Sequence, residues 1–425
     1  MSHTITVGTS SFKYTLLSEP QLLAEISRIA LAHCRGTLHT ASFQPNQAPS
    51  NGIGNQDVSV IEDWEIEGEP WKLRAIFDGH ANGNETVDFA SQTLPSMIRD
   101  RLSDIVRTES ISTENIKISL ASAIIDLDNS ITEGLFSLFP QEKYINNLTD
   151  EEIQKVVNDK DTGGANFTKV ARCMRGTTAI VALVGPKGDV WVATIGDSQA
   201  VLGMKRGAGE WSVRVLSSNH NAKDTIEIER IKKEHPGEEL VVTDDRVLGV
   251  IAVTRAIGDH LFKLPSVYTS RIFRNAFQGL RPGSEEMIKK ITERNLTPPY
   301  LSNSPDIVHL NLKDEGASHA CLILCSDGLM DLFSGGHNRT NAQPLNISKM
   351  AESWIRMVAE ESLVPSSNSG QNNIGDAKSN LALRLVYEGL GDSRRDEERM
   401  SWMLTLEMQE KWMDDTTVIV EGITL

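Results

Sequence analysis

No apolar run in this 425-residue chain approaches the ~18 residues that a membrane-crossing helix needs. Cysteine is scarce. Cys34, Cys173, Cys321 and Cys325 include no Cys-x-x-Cys pair, so reduced, buried thiols inside a cell are the expectation. Positive charge is in deficit: 42 Lys and Arg against 58 Asp and Glu leave a net charge of -16. That balance disfavours nucleic acid or an anionic membrane as the main partner. There is no Gly-x-x-x-x-Gly-Lys loop, which argues against nucleotide-driven phosphoryl transfer. The first fifteen residues carry Lys13 but no apolar core, so no secretory signal is expected. Glu19 and Glu25 argue against a mitochondrial presequence. A soluble, monomeric cytoplasmic protein is the expectation, with the mitochondrial matrix as the alternative. With 39% hydrophobic and 24% charged residues, the composition is that of an ordinary globular chain.

No internal repeat and no linker long enough to divide the chain is visible. Residues 1–45 read as an extension packed on a main domain of residues 46–425, with a helix from Gln21 to His33. Residues 41–56 are loop-like, and Val58, Val60 and Ile61 begin a strand that leads into Glu62 and Asp63. After a turn at Glu67 and Gly68, Leu73, Ala75 and Phe77 alternate with polar neighbours and lead to Asp78-Gly79-His80. Residues 85–107 and 113–132 repeat apolar residues at helical spacing and predict an antiparallel helix pair, kinked or broken at Pro95. Residues 135–170 read as an irregular excursion and 264–304 as a surface insertion. Gly185-Pro-Lys-Gly188 lies between two apolar runs, a hairpin signal, and the second run closes on Asp197. A buried strand at 320–325 ends on Ser326-Asp327-Gly328, with Asp331 four residues on. Helices are expected near 348–362 and 376–390, with a polar loop from Pro365 to Gly375 between them. Asp414 and Asp415 open a last strand.

Carboxylates therefore recur at strand ends: Glu62, Asp63, Asp78, Asp197, Asp259, Asp327, Asp331, Asp414 and Asp415. In one cleft they would repel each other by roughly several kcal/mol per unscreened close pair, so a fold retains them only with cations. An all-oxygen set points to Mg²⁺ or Mn²⁺ rather than zinc or copper. Two such ions about 3.5–4 Å apart can activate water toward phosphorus. His80 stands two residues from Asp78, placed to protonate a leaving alkoxide. His33-Cys34 does not make a cysteine-phosphatase loop, because the Arg expected six residues after the cysteine is Thr40.

Seven motifs in order carry a resemblance: Ile61-Glu-Asp63, Phe77-Asp-Gly-His80, Gly176-Thr-Thr-Ala179, Ile195-Gly-Asp-Ser198, Thr254 to Asp259, Cys325 to Asp331 and Asp414 to Val420. From about residue 55 to 424 the chain resembles the metal-dependent type-2C (PPM) Ser/Thr protein phosphatases. Asn219 to Ala222, Glu234 to Glu238 and Thr297 to Leu301 are similar to the pyruvate dehydrogenase phosphatase-like branch. The resemblance implies an α+β fold, a four-layer α-β-β-α sandwich of two packed antiparallel sheets flanked by antiparallel helix pairs. It implies that Asp78, Asp327 and Asp414, with the Gly79 carbonyl, hold two core Mg²⁺ or Mn²⁺ ions, and that Glu62 holds metal-bound water. Asp197 and Asp331 would form a third metal site, and His80 would be the general acid. The segment after Phe262 would be the flap beside the site. The activity implied is hydrolysis of phosphoserine and phosphothreonine in a phosphoprotein. The alternative is a binding or regulatory module of the same fold.

One position departs from the common pattern. Many family members carry an Arg four residues before the Glu of the Glu-Asp pair, where it grips phosphate, and here Val58 stands there. The pyruvate dehydrogenase phosphatase branch also lacks it. Arg175 is a substitute, against the plainer reading of a solvated loop residue. Singly, the other motifs also have plainer readings: Asp197 as a turn residue, Asp259 as a helix cap, Asp63 and Asp415 as structural neighbours of ligands.

Overall fold

A computed structural model describes residues 2–7, 10–46, 52–108, 111–281, 283–334, 346–364, 379–391 and 396–425. The polar loop from Pro365 to Gly375 lies outside the described residues. In chain order the main strands are β1 (Leu31–Arg35), β2 (Leu38–Phe43), β3 (Asp57–Ile66), β4 (Glu69–His80), β5 (Ala179–Val184), β6 (Asp189–Ile195), β7 (Gln199–Lys205), β8 (Trp211–Val215), β9 (Asp306–Asn311), β10 (His319–Cys325) and β11 (Thr416–Thr424). The principal helices are α1 (Glu19–Ile29), α2 (Glu85–Arg107), α3 (Thr113–Phe136), α4 (Glu285–Arg294), α5 (Asp327–Ser334), α6 (Ile347–Ser362), α7 (Leu381–Gly391) and α8 (Glu397–Thr405).

Among the described residues two large antiparallel sheets result, beside two small two-stranded ones. The first has seven strands: β4, β5, β6 and β9 in line, β3 paired to β4, and two short strands at 176–177 and 257–258 on the β4 side. The second runs β8-β7-β10-β11-β2-β1. Period-two alternation in the strands sorts side chains into three apolar layers. Ile76, Ile180, Ala182 and Val192 of the first sheet meet Ala200, Leu202, Leu322, Leu324 and Ile419 of the second. On the outer face of the first sheet, Leu73, Ala75, Phe77, Val181 and Leu183 pack against Val87, Leu94, Leu120 and Ile124 of α2 and α3. On the outer face of the second, Val201, Ile323, Val418 and Val420 pack against Trp354, Val358, Leu385 and Val386 of α6 and α7, with Leu22 and Ile26 of α1. The order is helix, sheet, sheet, helix, as the resemblance implies.

Several elements differ from the sequence reading. Residues 31–43 are two strands of the second sheet, so this part of the N-terminal segment is built into the sheet, whereas residues 2–7 and 10–15 form a hairpin of their own. Helix α1 ends at Ile29 because Ala30 turns to an extended conformation and feeds β1. Helix α2 runs through Pro95 without a break, held by its buried stripe Val87, Ala90, Leu94 and Ile98. The 135–170 excursion folds into short helices at Glu142–Asn146, Asp150–Val157 and Ala165–Met174, the last burying Phe167, Val170 and Ala171.

Between the sheets, charge is also buried. Arg74 is 2% exposed, and its Nε donates to Glu421 Oε2 at 2.7 Å, itself 2% exposed. Arg74 also pairs with Asp63 at 2.7 Å, and Lys72 with Glu421 at 2.8 Å. Removing one partner strands the other in a low-dielectric seam. Arg74→Ala is expected to cost about 3–5 kcal/mol in chemical denaturation. The double change Arg74→Met with Glu421→Leu should cost clearly less, and equal losses would mean that the arginine acts through packing alone.

Candidate active site

The carboxylates converge where the two sheets open at one end. Asp57 begins β3 and lies directly across from Asp78 of β4 in the antiparallel register. Asp197 sits in the link Gly196-Asp197-Ser198, which carries the chain from β6 in the first sheet to β7 in the second. Asp327 follows β10 as the first residue of α5, and Asp331 is one turn along the same helix face. Asp414 directly precedes the pair Asp415 and Thr416 at the start of β11. Ligand oxygens of Asp78, Asp197 and Asp327 lie within 4.8 Å of one another. All three, with Asp414, line a cavity of about 650 Å³ that also takes in Gln56, Gly79 and His80.

The electrostatics are those of a crowded anionic site. Burial, then the charge of Asp327, pushes Asp78 well above the ordinary carboxylate value. Burial, then Asp197, does the same to Asp327. Asp197 and Asp414 are raised chiefly by burial. Asp57 is pushed to about 8 by burial and by Asp415. Buried oxygens Asp57 Oδ1 and Asp327 Oδ1 have no hydrogen-bond partner among the described residues. An all-oxygen donor set with orphaned lone pairs suits a hard divalent cation and does not suit a soft one. Asp78, Asp197, Asp327 and Asp414 would hold it.

Neighbouring groups fix the acids. Ser326 Oγ donates to Asp57 Oδ2 at 2.7 Å, and Asn221 Nδ2 to Asp197 Oδ2 at 2.7 Å. Asp415 does not face the cluster as a bare ligand: it accepts from Gln44 Nε2 at 2.7 Å, from the Gln56 N–H at 2.8 Å and from Lys411 Nζ at 2.8 Å. His80 Nε2 is bonded to Asp259 Oδ2 at 2.6 Å. Burial alone would lower the imidazole pKa, but the Asp259 charge and hydrogen bond outweigh it, and the net shift is upward. Both turns here are strained: Ala81 has φ 72° and Asp259 φ 52°. Gly176 is dictated by space, because a Cβ there would fall 2.0 Å from Asp259 Oδ2 and 2.3 Å from His80 Nε2.

Not every expected residue arrives. Glu62 pairs with Leu73, five positions along β3 from Asp57, hence about 17 Å from the cluster at ~3.4 Å per residue. Its carboxylate accepts from Trp64 Nε1 at 2.6 Å, it does not line the cavity, and Asp63 belongs to the Arg74 network. The cause is topological. In a hairpin the end of one strand faces the start of the other, so Glu62, near the turn, cannot join Asp78 at the open end. Gln56 and Asp57 occupy that place instead. Val58 alternates away from the site and packs on the core beneath α2 and α3, so it is not where phosphate would be gripped. Arg175 is not a solvated loop residue: it is 2% exposed, lines the cavity, donates to the Gly279 carbonyl and pairs with Glu85 at 3.4 Å.

Metal-free stability should carry the signature of these raised pKa values. For Asp57 the folded form holds its proton more tightly than the unfolded chain, whose value is 3.8. Its contribution is therefore complete below that value and is lost as pH rises through about 8. The chelated protein is expected to melt at a lower temperature at about pH 9 than at about pH 6, and Mn²⁺ should recover the difference. A metal-free melting temperature that does not fall over this range would contradict the arrangement.

A family model described as Protein phosphatase 2C matches residues 56–337, about two thirds of the chain. A protein phosphatase 2C homolog of Schizosaccharomyces pombe is 25% identical over 394 residues, covering 88% of this chain and 78% of that protein. The mitochondrial pyruvate dehydrogenase (acetyl-transferring) phosphatase 1 of Bos taurus is 30% identical over 313 residues, 69% of this chain. The enzyme of that name from Saccharomyces cerevisiae is 25% identical over 409 residues, covering 88% of this chain and 67% of its own length. The match takes in 55% of the bovine protein's length. The matched segment runs from Gln56 through Asp78, Asp197, Asp259 and Asp327, and the chain belongs to the protein phosphatase 2C family of metal-dependent Ser/Thr protein phosphatases.

Proposed function

We propose that this chain removes phosphate from serine and threonine residues of a phosphoprotein, with Mg²⁺ or Mn²⁺ held by the acid cluster. The observation that carries this reading is the trio Asp78, Asp197 and Asp327, Asp197 buried and the other two half-buried, with ligand oxygens within 4.8 Å, in the same cavity as His80. A divalent cation bound there supplies Lewis-acid polarisation of the phosphoryl group and a nucleophile at neutral pH. The chain's own groups do the rest. Asp78, Asp327 and Asp414 hold the core charge, with the Gly79 carbonyl beside them. Asp197, with Asp331 one helical turn from Asp327, extends the site toward a further cation. His80 keeps Nε2 on Asp259, which leaves Nδ1 to deliver a proton to the departing serine or threonine oxygen. The sequence expectation gave Glu62 the water-holding role. In this reading the residues at that end of β3 are Gln56 and Asp57.

The names of the similar yeast and bovine proteins make phosphorylated pyruvate dehydrogenase the first substrate to assay. Those relatives are named mitochondrial, so the mitochondrial matrix enters beside the cytoplasm as a site of action. No described helix is long and apolar enough to cross a membrane.

The direct test is hydrolysis of p-nitrophenyl phosphate and of a phosphothreonine peptide, with and without Mn²⁺ or Mg²⁺ and with okadaic acid as a control. Metal-dependent, okadaic-acid-resistant turnover is expected, and its absence with both metals would refute the proposal. Asp327→Asn should abolish turnover while the metal-free protein melts no lower than wild type, because one repelling charge is gone. His80→Ala should reduce turnover of a phosphoserine peptide by about 10²–10⁴. The loss on p-nitrophenyl phosphate should be smaller, because that leaving group needs little protonation. Equal losses on both substrates would make His80 structural.

A further inference from the structure

The cavity is larger than the reaction needs. At about 650 Å³ it falls in the ~300–1,000 Å³ range of pockets that enclose drug-sized ligands, well beyond a phosphoryl group. Its walls are of two kinds. The polar lining includes the carboxylates and His80. The same cavity is also lined by Val250, Ile251, Leu280 and Met287, each half-buried against the core under the first sheet, so that part of each side chain lies bare. Val250 and Ile251 come from the segment before Asp259, whereas Leu280 and Met287 come from the 264–304 insertion. Arg246 and Arg281, both exposed, line the same cavity in a chain whose net charge is -16.

The insertion is not a free appendage. Arg281 Nη2 donates to the Ala81 carbonyl at 3.0 Å, Asn82 Nδ2 to the Gln278 carbonyl at 3.4 Å, and the buried Arg175 to the Gly279 carbonyl. These bonds join the insertion to the loop that follows His80 and to Arg175, and they fix the apolar lining in the cavity that holds the acids.

Resting on the phosphatase reading above, we propose that this wall is a substrate subsite. It takes the side chain of an apolar residue adjoining the phosphorylated serine or threonine. The occupant follows from continuity: whatever brings a phosphoresidue to the acids must lay its neighbouring residues in the same cavity. The bare part of the wall is apolar, and the guanidinium groups of Arg246 and Arg281 favour an anionic, phosphate-bearing segment over a basic one.

The test compares two phosphothreonine peptides, one with leucine on both sides of the phosphoresidue and one with glycine there, in Mn²⁺ buffer. The wild-type enzyme should favour the leucine peptide in kcat/KM by about tenfold, the scale of a side chain entering an apolar pocket. Met287→Ala and Leu280→Ser should each shrink that ratio by about threefold or more. The ratio is taken within one protein, so partial unfolding or metal loss lowers both rates and leaves it unchanged. A wild-type ratio near one, with p-nitrophenyl phosphate still hydrolysed, overturns the subsite and leaves the phosphatase reading intact. A preference that survives in both variants also overturns it. Hydrolysis of none of the substrates removes the phosphatase reading and the subsite with it.

Discussion

Asp57, Asp78, Asp197, Asp327 and Asp414 are pressed together at the mouth of the seam between the two sheets, and burial with mutual repulsion raises the pKa of each. Ionisation of such a cluster opposes folding unless a cation balances it. The surrounding structure is arranged around that load. Asp57 and Asp78 come from paired strands, Asp327 starts a helix where the positive end of its dipole lies, and Ser326 and Asn221 each satisfy one carboxylate oxygen. The strain at Ala81 and Asp259, and the space denied to a side chain at Gly176, keep His80 against Asp259 beside the same cluster.

Charge at two places along the seam is handled in opposite ways. Deep between the sheets, Arg74, Lys72, Glu421 and Asp63 neutralise one another through direct ion pairs. At the open end Asp57, Asp78, Asp197, Asp327 and Asp414 make no ion pair with a Lys or Arg among the described residues, and cations nearby are engaged elsewhere: Lys411 on Asp415, Arg175 on Glu85 and the Gly279 carbonyl. The first arrangement holds the sheets together. The second leaves a field available to an incoming cation.

Much of this was legible in the residues. Asp78, Asp197 and Asp327 follow apolar strands, and a strand end is a rigid place from which to aim a carboxylate. The helix pair α2 and α3 was legible because its apolar period is long and regular. The placement of Glu62 failed on a point of geometry that the sequence also contained. A tight turn at Glu67 and Gly68 makes β3 and β4 antiparallel, so acids at both C-terminal ends must lie at opposite ends of the hairpin. The acid facing Asp78 had to be sought about twenty residues upstream, at Asp57, where the loop-like stretch 41–56 gives way to the strand. The strands at 31–43 were hidden because their pattern is set by tertiary pairing with β11, not by local alternation. Arg175 was hidden because burial of a guanidinium depends on partners, here Glu85 and Gly279, that are distant in sequence.

The link Gly196-Asp197-Ser198 passes from one sheet to the other, and its carboxylate lies within 4.8 Å of those of Asp78 in the first sheet and Asp327 beside the second. Cations held by that cluster would act as a bolt through the laminate, tied to both plates and to the strap that joins them. Sliding one plate over the other would then have to break coordination, which falls off far more steeply with distance than apolar contact does. Occupancy of that site would therefore add to the resistance to shear that the apolar layer and the Arg74–Glu421 pair already give the seam.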